Sequence, residues 1–267
     1  MAKLIVGTPG DDKLRGTEGD DKILGRAGDD EVHGLGGDDI LRGELDNDIL
    51  HGGLGDDLVD GEDGSDWLDG GDGDDKVYGG DGASADRIFG GDGDDHLVGQ
   101  EGSDWIDGGP GVDDVSWYKN FAPVEADLLT GRGVGGGDVD RFVNIEDLEG
   151  SYYDDVLRGD DGANQIIGLF GDDILDGRGG EDRIYGRIGD DVITGGRGDD
   201  LVHGGAGADT AVFAGERDDY QVTRSGGGIR VEDLAPGSAG DDGTDTLVRV
   251  EFVRFSDETV VLGGEVG

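Results

Sequence analysis

Large aliphatic residues recur along this chain at a spacing of nine. Leu14, Ile23, Val32, Leu41, Leu50, Val59, Leu68 and Val77 hold that interval without a break. Neither an amphipathic helix nor a simple alternating strand has this period. Cutting the chain at the glycine seven places before each aliphatic residue gives nine-residue units that begin GTPGDDKLR, GTEGDDKIL and GRAGDDEVH. Twelve units fill residues 7–116, and seven more fill 150–212. One unit, 79–89, carries two extra residues near Ala83–Ala85. Position one is Gly in all nineteen units. Position four is Gly except at Asp46 and Tyr153, and position six is Asp except at Asn164. Position eight is Leu, Ile or Val except at Ala211. Four columns held in register over that many units specify a repeat architecture.

The columns predict the elements. Positions one to six read as a turn in which glycine permits positive φ and close backbone approach. Positions seven to nine read as a very short strand, with position eight inward and positions seven and nine outward. Two units then make one coil of about eighteen residues, and coils stack at about 4.8 Å. The predicted fold is all-β: a parallel β-roll, or β-solenoid, of about nine coils with a β-rich C-terminal cap. Four segments follow. Residues 1–116 form the first tract, with KLIV as a partial starting coil around Ile5. Residues 117–149 read as a larger irregular coil joining the tracts, the rival reading being a flexible hinge at Gly131–Gly137. Residues 150–212 form the second tract. Residues 213–267 hold the strand-like YQVTR, GIRVEDL, DTLVRVEFVRF and ETVVL, with a turn over Pro236–Gly243, and read as the cap.

Composition changes the picture. Of 267 residues, 60 are Gly and 66 are Asp or Glu against 21 Lys or Arg, for a formal net charge of -45. Only 33% are hydrophobic. So thin a core cannot offset chain entropy and self-repulsion unaided. Either the chain is disordered or a cation neutralises it. The charge excludes nucleic acid and argues against anionic membranes. No apolar run is long enough to span a bilayer. The apolar stretch in MAKLIVGTPG is too short for a cleaved signal peptide, and the absence of Cys excludes disulfides and thiolate metal sites.

The position-six column supplies the chemistry. Asp12, Asp21, Asp30, Asp39, Asp48, Asp57, Asp66, Asp75, Asp86, Asp95, Asp104 and Asp113 carry it in the first tract, and Asp155, Asp173, Asp182, Asp191, Asp200 and Asp209 in the second. Members of one side are eighteen residues apart, as Asp12 and Asp30 are, so they stack one coil apart and repel. Carboxylate and carbonyl oxygens without sulfur or imidazole suit a hard cation, and the flexible cradle favours calcium over magnesium. Turn capping alone is the bland alternative, but a cap would accept Asn or Ser equally.

These columns resemble the RTX (repeats-in-toxin) consensus Gly-Gly-x-Gly-x-Asp-x-U-x, with U a large aliphatic residue, the repeat of calcium-binding parallel β-helices. The resemblance implies a calcium-loaded β-roll with on the order of fifteen ions. It also implies export through a type I secretion machinery to the extracellular medium, with an uncleaved C-terminal signal. Asn164 weakens one site, and Asp46 and Tyr153 alter local turn geometry.

No catalytic constellation is expected. His33, His51, His96 and His203 fall at outward positions, with His33 and His51 as stacked neighbours. A regular narrow roll offers no apolar pocket to tune a carboxylate pair. Trp67, Arg87 and Trp105 share position seven on one side and form a candidate patch for polysaccharide or a cell-surface partner; the alternative is a self-packed cation–π stack. The expected function is a secreted calcium-binding protein that folds on meeting calcium and serves a structural, surface or adhesive role. The alternative is an accessory module supporting export and substrate contact of an extracellular protease, lipase or alginate epimerase.

Overall fold

Position eight turns inward throughout. In the computed structural model, which describes residues 3–235 and 241–262, Ile23, Val32, Leu41, Leu50, Val59, Leu68 and Val77 are fully buried. From Ile23 to Val59 each pairs in parallel with the residue eighteen positions on: Ile23 with Leu41 and Leu41 with Val59 on one side, Val32 with Leu50 and Leu50 with Leu68 on the other. Each buried aliphatic side chain contributes about 1.5–3 kcal/mol relative to exposure. The fold is an all-β parallel solenoid, interrupted among the described residues by one short 3-10 turn, Arg217–Asp219.

Two units are distinguished by their contacts. The first holds the residues up to Asn120 together with Gly131–Ile145. One of its sheets runs in the order Leu4–Val6, Lys22–Ala27, Ile40–Leu45, Leu58–Asp63, Lys76–Gly80, His96–Gln100, Asp114–Ser116. The other runs Lys13–Arg15, Glu31–Gly36, Ile49–Leu54, Trp67–Asp72, Arg87–Asp92, Trp105–Asp107, Asp138–Val143. Within KLIV, Leu4–Val6 is a starting strand, with Ile5 opposite Ile23. Within Gly131–Gly137, Arg132–Gly135 pairs antiparallel with Asp138–Val143 across a turn at Gly136 and Gly137, both at positive φ. Trp117 is buried and meets Phe142 edge-on, at 6.0 Å between ring centroids.

The second unit holds Phe121–Thr130 and the residues from Glu146 on. Val124–Asp127 begins one sheet and is followed by Val156–Arg158, Ile174–Asp176, Val192–Thr194, Thr210–Val212 and Phe252–Arg254. Asp147–Glu149 begins the other, followed by Gln165–Phe170, Arg183–Ile188, Leu201–Ala206 and Thr244–Val248. Antiparallel strands then close both: Gly228–Asp233 and Tyr220–Ser225 on one, Thr259–Val261 on the other. This is the β-rich cap. Leu247 and Val253 continue the core beyond Val202 and Ala211, and Phe213, Tyr220 and Phe255 pack together over it. Of the expected turn Pro236–Gly243, residues 236–240 lie outside the described residues, as do 263–267, where an export signal is expected.

Three local expectations are corrected. Many strands have six residues, not three, because they run on through position three of the next unit, as in Lys22–Ala27. Where the strand runs on, the position-one glycine, such as Gly25 or Gly34, is therefore a strand residue. Position-one glycines lie outside the positive-φ set, which instead gathers positions two and four, such as Arg26 and Gly28. Position nine is not always outward: Val98 is fully buried. Lys119 lies over the Tyr78 and Tyr118 rings and reaches Gln100 on the same strand, covering that stretch of sheet.

Candidate metal-binding turns

Position-one glycine is required by space rather than by φ. A Cβ built on Gly25 would lie 2.4 Å from Asp30 Oδ2 and 2.8 Å from the Gly43 carbonyl oxygen. The same contacts recur at Gly34, Gly43, Gly52, Gly61 and Gly70. Each missing side chain leaves a carboxylate oxygen and a carbonyl oxygen of the next coil beside one another.

The position-six carboxylates stack as the spacing predicts, and their two oxygens have different fates. Oδ1 accepts the backbone N–H of the position-six residue one coil earlier. The Asp12 N–H donates to Asp30 (2.7 Å), Asp30 to Asp48 (2.8 Å) and Asp48 to Asp66 (2.8 Å). In the second unit Asp155 donates to Asp173 and Asp173 to Asp191. Oδ2 is buried without any hydrogen-bond partner in Asp30, Asp39, Asp48, Asp57, Asp66, Asp75, Asp95, Asp104, Asp173, Asp182, Asp191, Asp200 and Asp209. A buried carboxylate oxygen with no donor is costly, and a cation is what would offset it. Among the described residues no three His, Asp or Glu side chains converge on one metal-sized space. A cation here would therefore complete its shell with backbone carbonyls, which suits calcium.

Electrostatics follow from this burial. Removal from water pushes the carboxyls of Asp48, Asp57, Asp66, Asp86, Asp95, Asp182 and Asp209 up to about 7, and those of Asp75, Asp104 and Asp173 up to about 8. Asp191 and Asp200 rise to about 6 for the same reason. Asp21 behaves differently. Burial pushes it up, but hydrogen bonds from the Thr17 side chain and backbone and from the Lys3 backbone outweigh that and hold it below its ordinary value.

Asp12 is half-buried in the first coil, and the remaining two of the predicted set, Asp86 and Asp155, are buried in their turns. Asn164 occupies its column with a different chemistry: its Nδ2 donates to the Glu146 carbonyl (2.8 Å), and its Oδ1 accepts from the Asp160 N–H (2.9 Å). Tyr153 stands partly exposed, and Asp46 takes positive φ in place of glycine.

The columns also extend beyond the repeats. Asp140 Oδ1 accepts the Asp104 N–H (3.1 Å), Asp245 Oδ1 the Asp200 N–H (3.0 Å), and Glu251 Oε2 the Asp209 N–H (3.0 Å). Burial raises Asp245 to about 9. Their signal is the tail of the unit, an acid two places before a buried apolar residue: Asp140 before Phe142, Asp245 before Leu247, Glu251 before Val253. A second ladder runs at position five in the opposite sense. There the later coil donates, Asp29 N–H to Asp11 and Asp56 N–H to Asp38. The recurrent Asp-Asp pair marks it.

The candidate surface patch is assembled. Trp67 stacks on Phe89 at 4.8 Å, Phe89 meets Trp105 at 5.1 Å, and the Arg87 guanidinium lies 5.7 Å from the Trp67 ring centroid. His33 and His51 stack at 4.9 Å and are engaged by Glu31 and Asp69.

The model of the RTX calcium-binding nonapeptide repeat matches overlapping segments that run together over 6–115 and 149–211, 173 of the 267 residues. The chain belongs to the RTX calcium-binding nonapeptide repeat family. RTX repeats bind calcium, and their β-roll is a structural fold that is generally non-catalytic. Proteins bearing them are typically secreted, and no helix among the described residues is long and apolar enough to cross a membrane. Comparison with curated proteins gives no match.

Proposed function

We propose that this RTX protein is an extracellular structural, surface or adhesive component whose position-six carboxylates hold calcium, and that it folds only when calcium arrives. The observation that carries this reading is the row of thirteen buried Oδ2 atoms without a partner. Without a cation the fold buries one oxygen of each of these carboxylates unsatisfied, and the charge of -45 adds self-repulsion. Extracellular calcium modules bind at about 10⁻⁴–10⁻³ M, so cytosolic calcium would leave the chain unfolded and fit for a type I export channel. Binding and folding then form one event. The test is a calcium titration at pH 8 followed by far-ultraviolet circular dichroism. Strand signal should be absent in EDTA and appear cooperatively with calcium; a full strand signal in EDTA refutes it.

A second reading is supported by the Trp67–Phe89–Trp105 stack: contact with polysaccharide, as in an accessory module of a secreted enzyme. Each of those rings already packs on another ring, which favours a structural role. Binding of glycan arrays by the calcium-loaded wild type, abolished in a Trp67→Ala/Trp105→Ala variant, would establish the second reading.

A further inference from the structure

The nineteen turns fall into two chemical classes, divided by the residue at position two. In fifteen units that residue has positive φ. Eight are not glycine: Arg26, Leu35, Glu44, Glu62, Gln100, Leu169, Arg178 and Arg187. In all of these except the eleven-residue unit 79–89 and the unit 108–116, the position-six Oδ2 is buried and unpartnered. The other four have Thr8, Thr17, Ser151 and Asp160 at position two, and none of these has positive φ.

In those four units the turn closes on itself. The Thr17 N–H donates to Asp21 Oδ2 (2.6 Å), and its hydroxyl donates to the same oxygen (2.9 Å). Thr8 makes the same pair of bonds to Asp12 Oδ2. The Ser151 N–H reaches Asp155 Oδ2, and its hydroxyl reaches Oδ1 (2.9 Å). The Asp160 N–H reaches Asn164 Oδ1 (2.9 Å). The preceding strands, Leu4–Val6, Lys13–Arg15, Asp147–Glu149 and Val156–Arg158, stop at position nine, as do Trp105–Asp107, Ile174–Asp176 and Val192–Thr194 before three of the open turns. Where φ is positive, the position-two N–H can instead join the sheet, as Gly91 N–H does with the Gly108 carbonyl (2.9 Å).

The chemistry of the side chain accounts for the division. Ser, Thr and Asp carry a short oxygen that bonds the local backbone and competes with regular structure. Thr is also β-branched and resists positive φ. All four self-closed turns bear such a residue, and none of the fifteen open ones does. Arg, Leu, Glu and Gln offer no local bond, so the turn opens despite the strain.

We propose that position two decides whether a turn takes calcium. Turns with Ser, Thr or Asp there are closed by their own hydrogen bonds and hold no ion of their own, and the other turns require one. The four closed turns are units one and two of each tract, which together make that tract's first coil. Each repeat tract thus starts with a coil that is complete without metal and presents a finished strand edge to the calcium-dependent coil that follows.

This inference rests on the reading of position six as the calcium ligand, and the test separates the two. Full-length protein is saturated with calcium, freed of unbound ion, and its bound calcium counted by native mass spectrometry. Thr8→Gly/Thr17→Gly should raise the count by one or two ions. Gly53→Thr, which installs the closing hydroxyl beside Asp57, should lower it by about one. Hydrogen exchange should show the Thr17 and Ser151 amides protected at calcium levels too low to protect Gly53 and Gly71. Asp57→Asn tests the underlying reading: an unchanged ion count overturns it. If Asp57→Asn lowers the count while the variants at Thr8, Thr17 and Gly53 leave it unchanged with strand signal intact, the position-two rule is overturned and the ligand reading stands.

Discussion

Acid should substitute for calcium. Ten position-six carboxyls have folded values at about 7 or 8: Asp48, Asp57, Asp66, Asp75, Asp86, Asp95, Asp104, Asp173, Asp182 and Asp209. In an unfolded chain an aspartate titrates near 3.9. A raised folded value means that the fold binds the proton more tightly than the unfolded chain does. The resulting stability is fully present below about pH 4 and is lost as pH rises through 7 and 8. At about pH 5.5 these groups are protonated in the fold and ionised when unfolded, so folding takes up as many as about ten protons. Each proton is worth about 1.4 kcal/mol per pH unit. Stacked neighbours titrate as coupled sets, which spreads the steps over a wider range. Even three protons change stability by about 4 kcal/mol per pH unit, a large share of the 5–15 kcal/mol of an ordinary domain. The assay is circular dichroism in EDTA from pH 8 to 5, with sedimentation velocity to keep folding apart from association. The metal-free chain should be unfolded at pH 8 and gain strand reversibly toward pH 5.5. A strand signal that stays constant across this range, or falls with acid, refutes the reasoning.

Three further outcomes follow from the turns and the core. Gly52→Ala places a Cβ 2.3 Å from both Asp57 Oδ2 and the Gly70 carbonyl and should cost about 1–3 kcal/mol in urea unfolding at saturating calcium. Gly10→Ala, with nothing within 4 Å, is the matched control and should cost nothing. Leu35→Gly relieves a left-handed backbone at φ 92° and should raise stability by about 1 kcal/mol in the same assay, since that conformation costs about 1–2 kcal/mol in an L-residue. Leu50→Ala empties a fully buried position and should cost about 2–5 kcal/mol, with a higher calcium midpoint in the folding titration.

Much of this is legible in the repeat. A period of nine with one aliphatic residue per unit leaves a single way to bury that column, and Ile23, Leu41 and Val59 stack accordingly. The aspartate column is legible for the same reason: eighteen residues make one coil, so Asp30 and Asp48 must meet. What escapes is set by backbone geometry that composition does not display. Position-one glycine reads as a φ residue because turns use glycine that way; the actual constraint is an oxygen of the next coil, which no single unit contains. Asp140 and Glu251 escape notice because the frame before them is incomplete, although the acid–x–apolar tail remains; Asp245 carries the full frame, with Gly240 and Gly243 at positions one and four and Leu247 at position eight, and is missed because it stands apart from the two tracts. The division at position two is in plain view as Thr8, Thr17, Ser151 and Asp160, but its meaning depends on where an N–H points.

The eleven-residue unit tolerates its extra length. Across it the Asp66 N–H still reaches Asp86 Oδ1 at 2.9 Å and Asp75 N–H still reaches Asp95 Oδ1 at 2.8 Å, each over twenty residues instead of eighteen. Arg87 still pairs with Trp67, and Ile88 with Leu68. The added residues leave at the turn around Ala83–Ala85, and both sheets continue in register. Duplication or slippage in the gene could therefore lengthen that turn without disturbing the coils on either side. For the same reason it is the natural site for grafting a foreign peptide, which the coils on either side would hold out from the sheets.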